Sequence, residues 1–150
     1  MKIETVRTFV VDAYRANYVF VKIIADDGSY GVGEGTVEHR EQAVAHAITE
    51  FEPQLLGRDP FATDAIVVQL SRDSYWRTGV VTRSAIAAIE AALLDLKGKA
   101  LGVPVYELLG GKQRDSATCL LSKRSFRSSP RSTRPRTDTV ITPVGAIAKD

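Results

Sequence analysis

Ser84 to Gly111 reads SAIAAIEAALLDLKGKALGVPVYELLGG, and this stretch most constrains the fold. Ile86, Ile89, Leu93 and Leu96 recur at helical spacing and make one broad apolar stripe. Ala85, Ala88 and Ala92 make a second stripe of small side chains, which lets another element's backbone come close. Lys97 and Lys99 fall in the last turn, where cations complement the helix dipole. Gly102 and Pro104 stop the helix, and Val105 to Leu109 supply one further short turn. A helix over Thr82 to Leu101 with two usable faces has to be packed from more than one side.

The partners for those faces lie upstream. Residues 2–11 are rich in Val, Ile, Thr and Phe and read as a strand. Residues 18–25, YVFVKIIA, read as a second strand, either covered on both sides or an edge strand whose Lys22 snorkels. Asp27-Gly28 marks a hairpin turn, because Gly accepts the positive φ such turns need. Tyr30 to Glu34 completes a three-stranded antiparallel meander. The period then changes. Val44, Ala47, Ile48, Phe51 and Leu55 share a helical face over Glu38 to Leu55, with Pro53 ending or kinking that helix. Asp59-Pro60 reads as the start of a second helix running to about Arg72, with Asp as cap and Pro at the first position. The expected class is α+β: the meander followed by three to four helices.

Composition limits the rest. The chain has 150 residues, 44% hydrophobic and 25% charged, enough for one ordinary domain with a real core. Its net charge of +2 is unevenly spread. From Asp115 onward seven basic residues face three acidic ones, a surplus of +4, which leaves −2 for the first 114 residues. Cys119 is the single cysteine, so no disulfide can form within the chain. Glu4, Arg7 and Asp12 interrupt the opening apolar residues, which is not a signal-peptide pattern. No apolar run reaches membrane-spanning length, and the expectation is a cytoplasmic protein. Ser122 to Arg136, SKRSFRSSPRSTRPR, has neither helix nor strand period and too little apolar area to offset ordering. The expected division is therefore a domain over 1–114 and a disordered basic tail over 115–150.

The stretch AIAAIEAALLDLKGKALGVPVYELLGG places Glu90, Asp95, Gly98-Lys99, Pro104 and Leu108-Leu109-Gly110 at a recognisable spacing. With the N-terminal hairpin and GVGEGTVEHR, it resembles the N-terminal capping domain of the mandelate racemase/muconate lactonizing enzyme family, in the enolase superfamily. The resemblance covers about residues 1–115. FVKI at Phe20 to Ile23, GVGE at Gly31 to Glu34, and Trp76-Arg77 ahead of SAIA extend the likeness to sugar-acid dehydratases, galactonate dehydratase in particular.

The resemblance implies a specific chemistry. A base removes a proton α to a carboxylate, Mg²⁺ stabilises the charge that develops, and a general acid expels the β-hydroxyl as water. Those groups stand on a following (β/α) barrel of about 250 residues, and the capping domain closes over its mouth. By resemblance no catalytic base and no metal ligand falls in this chain. What carries over is a lid role. Arg15, Asn17 and Tyr18 lie between the first two strands, and Glu34 and Glu38 lie in the segment after the third, which runs to His39. Arg77 follows Tyr75 and Trp76 in an aromatic loop. Arginine and asparagine at a lid offer several donors to a polyhydroxy acid.

Other motifs have plainer readings. Lys97-Gly98-Lys99 imitates a lysine pair that some family members use as bases, but it ends a helix. Gly31, Gly33 and Gly35 imitate a nucleotide loop without its third glycine at the required spacing. His39 and His46, seven apart on the expected helix, are too distant to share a metal unaided. The basic tail lacks aromatic platforms beyond Phe126, which argues against nucleic acid.

For the whole chain the expectation is a family member whose barrel is missing. An Arg/Ser/Pro/Thr tract is what an out-of-frame reading of GC-rich coding sequence gives, which places a frameshift near codons 115 to 120. The parent activity is then Mg²⁺-dependent dehydration of a sugar acid, and this chain alone is inactive. Its partner is the missing barrel or a second copy. The alternatives are a racemase or cycloisomerase of the same family, or a non-catalytic module whose exposed alanine face docks onto another protein.

Overall fold

The computed structural model describes residues 1–12, 17–116 and 141–143. Strand β1 (Ile3–Asp12) pairs antiparallel with β2 (Asn17–Ala25), which pairs antiparallel with β3 (Tyr30–Glu34). The turn into β3 is built as its sequence predicts. Gly28 takes φ 81°, and the Asp27 carboxylate accepts the Ser29 N–H at 3.0 Å. Four helices follow: α1 (Glu41–Leu55), α2 (Thr63–Arg72), α3 (Val80–Leu101) and α4 (Val105–Leu108).

The strands alternate cleanly. Ile3, Val6 and Val10 of β1, and Val19, Val21, Ile23 and Ala25 of β2, are buried against the helices. Val44, Ile48 and Leu55 of α1, Ile66 and Leu70 of α2, and Ile86, Ile89, Leu93 and Leu96 of α3 meet them in one core. Tyr18, Phe20 and Lys22 face the other way. Strand β2 is thus central, neither an edge nor covered on both sides. Lys22 sits at its middle because the ammonium lies 3.8 Å from the centre of the Tyr30 ring, a cation–π contact.

The alanine stripe is where strand meets helix. Ala85, Ala88 and Ala92 are fully buried, so they are not the exposed docking face expected of a stand-alone module. Strand β3 covers Ala88 and Ala92 with glycines. A Cβ on Gly31 would stand 1.9 Å from the Ala92 carbonyl oxygen, and one on Gly33 would stand 2.0 Å from that of Ala88. Backbone lies directly on backbone here, which only paired small residues permit. The same contact accounts for the glycine run that imitates a nucleotide loop. Asp95, on the adjoining face of α3, accepts the Val32 N–H at 2.8 Å and so serves the free edge of β3. Lys99 binds Asp95 at 2.7 Å and reaches the Tyr30 carbonyl at 3.3 Å.

Several boundaries differ from expectation. Helix α1 begins at Glu41 instead of Glu38, because His39 takes φ 65° and turns the chain out of a helical path. His39 and His46 therefore do not share a helix. Pro53 lies inside α1 and the helix continues to Leu55. Helix α2 begins at Thr63, not at Asp59-Pro60. The Asp59 carboxylate accepts the Phe61 N–H at 2.9 Å, which closes a separate turn ahead of the helix. The sheet also gains a strand. Residues β4 (Ile141–Pro143) pair antiparallel with β1, giving the order β3-β2-β1-β4 in place of three strands. An unpaired edge accepts any extended segment through its backbone, whatever that segment's side-chain period. The basic tract Ser122 to Arg136 lies outside the described residues.

Candidate functional site

The candidate lid residues are spread over three stretches of sequence, and the fold gathers those stretches at one end. Val19, near the start of β2, donates its N–H to Thr36 Oγ1 at 3.0 Å and accepts the Gly35 N–H at 3.0 Å. Gly35 in turn lies on the first turns of α3. A Cβ there would stand 2.8 Å from the Ser84 carbonyl oxygen. The Tyr75–Trp76–Arg77 loop runs directly into that same end of α3 through Gly79, at φ 121°. Asn17 and Tyr18, Glu34 and Glu38, and the loop holding Arg77 thus surround one end of the domain. Arg15 lies outside the described residues.

Each side chain there has a definite setting. Tyr18 is 42% exposed, and its ring stacks on Phe20 with centroids 6.2 Å apart. Glu34 and Glu38 are exposed. Tyr75 and Trp76 are 88% and 79% exposed, set edge to face at 5.3 Å. Arg77 makes one long bond, Nε to the Ser74 carbonyl at 3.4 Å, which leaves most of its guanidinium donors outward. Aromatic rings this exposed contribute little to the core.

Glu41 stands behind this rim. Its carboxyl is held below the usual carboxylate range, chiefly by its own backbone N–H, with burial opposing and the N–H and charge of His39 and the N–H of Asn17 adding to the lowering. The His39 N–H to Glu41 Oε1 distance is 3.1 Å. Sequence reasoning gives Glu41 no part in the lid and does not pick out Thr36. The partner of Thr36 is 17 residues away, so no local pattern reveals it.

Among the described residues no group of three or more His, Cys, Asp and Glu side chains stands close enough to hold a metal ion. These residues do not fit the role of Mg²⁺ ligands. Lys97 and Lys99 meet protein groups: Lys97 reaches the Phe61 carbonyl at 3.3 Å, and Lys99 reaches Asp95 and Tyr30. No described helix is long and apolar enough to cross a membrane.

An antiparallel meander is closed here by a helical layer, with loops collected at one end. The family described as mandelate racemase/muconate lactonizing enzyme, N-terminal domain, matches residues 2–110, and the chain belongs to it. A D-galactonate dehydratase family member from Halomonas elongata is 47% identical over 116 residues, which is 77% of this chain and 28% of that protein. A D-mannonate dehydratase from Rhizorhabdus wittichii is also 47% identical, over 77% of this chain and 29% of its own length. A crystal structure of an enolase from Pantoea ananatis with bound D-gluconate and Mg superposes with a TM-score of 0.71 at 42% identity. That match covers 76% of this chain and 28% of the other. The chain therefore spans less than a third of the length of these relatives.

Proposed function

We propose that this chain supplies the substrate-facing cap of a Mg²⁺-dependent sugar-acid dehydratase. The observation that carries the reading is the convergence of the start of β2, the Glu34–His39 segment and the aromatic loop on one end of the domain. Sugar acids present hydroxyls and a carboxylate. The exposed Glu34 and Glu38 carboxylates accept from hydroxyls, and the Arg77 guanidinium donates to a carboxylate. Tyr18 and Trp76 supply apolar surface that excludes water once the cap closes. Loss of the α-proton and of the β-hydroxyl is assigned to a barrel domain, and so is the Mg²⁺ that stabilises the developing charge. Without such a barrel the cap is expected to show no turnover. Its place of work is the cytoplasm.

The test is a graft. Residues 1–114 replace the corresponding cap of the Halomonas elongata relative, and Mg²⁺-dependent dehydration of a panel of aldonic acids is assayed. The chain alone is expected to show no turnover. The graft is expected to turn over at least one aldonic acid, with KM raised about tenfold by Arg77→Ala, the loss of one charge-assisted hydrogen bond. Turnover by the chain alone, or a folded graft inactive on every acid, overturns the reading.

A further inference from the structure

The bond between Val19 and Thr36 is unusual for its place. The β2–β3 pairing ends at Phe20 opposite Glu34. The next backbone groups along β2 belong to Val19. Its carbonyl still accepts a backbone N–H, that of Gly35. Its own N–H finds a side-chain hydroxyl, Thr36 Oγ1, in place of a backbone carbonyl. The chain leaves the ladder here because Gly35 is pressed onto α3, where even a Cβ would meet Ser84 and Ala88. Val19 is fully buried, so water does not offer its N–H a replacement partner.

Beyond Thr36 the segment bonds within itself and to α1, Val37 packs against the core, and the Glu41 carboxylate takes the N–H of both His39 and Asn17. Arg40 donates its N–H to the Val37 carbonyl at 2.9 Å, and the His39 N–H binds Glu41 at 3.1 Å. The His39 backbone, at φ 65°, is held in a conformation that a non-glycine residue resists. The segment is thus a stiff, self-bonded piece. Gly35 and Thr36 join it directly to Val19, Gly35 through its backbone and Thr36 through its side chain, beside the Glu41 contact with the Asn17 N–H.

We propose that Thr36 is a positioning residue: its hydroxyl locks the Glu34–His39 segment to the start of β2, so that Asn17 and Tyr18 move with Glu34 and Glu38 as one body. The consequence is a cap that presents these groups together. The inference rests on the lid reading of these two segments, but the coupling is measurable without any substrate.

The experiment is hydrogen–deuterium exchange on the whole chain and on two variants. Thr36→Val keeps the shape and removes the acceptor. Thr36→Ser keeps the acceptor and removes a methyl group. Thr36→Val is expected to speed exchange about five- to tenfold in both residues 18–20 and residues 35–39, the size set by one lost net hydrogen bond. Thr36→Ser is expected to leave both within about twofold. The opposite order, with Val silent and Ser disruptive, means Thr36 only packs, and overturns the proposal. Acceleration confined to 35–39 overturns it too. Should Thr36→Val not fold, the unmodified chain decides. The two segments are then expected to lose protection at the same urea concentration, and separate midpoints overturn the coupling. A failed graft with intact coupling removes the lid reading alone, and a working graft without coupling removes this inference alone.

Discussion

The middle of α3 and its N-terminal end are built on opposite principles. Toward its middle, Ala88 and Ala92 accept Gly33 and Gly31 of β3 at backbone contact, and nothing there is free to move. At its N-terminal end the helix meets Gly35 and the loop of Tyr75, Trp76 and Arg77, whose side chains point into solvent. The seam holds the domain together through close packing. The rim keeps large aromatic and charged side chains exposed at a cost in burial, which fits contact with a ligand or another domain. Precise placement of the rim depends on the rigidity of the seam beneath it.

The strongest way to break this contrast is Gly33→Ala. Its Cβ would stand 2.0 Å from the Ala88 carbonyl, so strand and helix must separate. A loss of about 3 kcal/mol or more is expected in urea denaturation. An unchanged midpoint would mean the seam is looser than described.

Asp95→Asn tests the edge of the same seam. The Val32 N–H keeps an amide oxygen as partner, but both it and Lys99 lose the carboxylate charge. The pair is partly exposed, so the cost expected from the same denaturation is about 1 kcal/mol. A larger loss than that of Gly33→Ala would reverse the ranking of packing over polar tethering.

Trp76→Ala and Arg77→Ala sharpen the contrast from the other side. Both side chains lie outside the core, and stability is expected to change by no more than about 0.5 kcal/mol. A drop beyond about 1 kcal/mol in thermal unfolding would make the loop a structural element instead of a rim.

The smallest effect concerns acid. The Glu41 carboxyl titrates lower in the folded chain than in the unfolded one. Its contribution is therefore present above the unfolded value of about 4.3 and lost as pH falls through the folded one. Asp27, lowered by the Ser29 hydroxyl and N–H, has the same sign. Unfolding followed from about pH 6 to pH 3 is expected to show a shallower decline for Glu41→Gln than for the unmodified chain. Parallel curves would remove Glu41 as a tether of the rim.

Most of the fold was legible because it rests on local rules. A richness in β-branched and aromatic residues marked β1 and β2, Asp27-Gly28 marked the hairpin, and the Ile86/Ile89/Leu93/Leu96 stripe marked the buried face of α3. Boundaries failed where a side chain chose a different bond. Asp59 closed a turn of its own, and the φ of His39 delayed α1 to Glu41. Candidate rim residues were readable by resemblance to a family. Their convergence was not, since Val19 meets Thr36 and Gly35 meets Ser84 across long separations.

The sequence by itself determined the three strands of the meander, the helices, the family and the small-residue pattern on both sides of the seam, since composition, period, turn chemistry and residue size are local properties. The tertiary structure alone decided that the alanine stripe would be covered from within by glycines. It also decided that Thr36 would carry the ladder past its last strand pair. Both are matters of which surfaces meet, and a meeting of distant surfaces is decided by packing and hydrogen-bond satisfaction over the whole core.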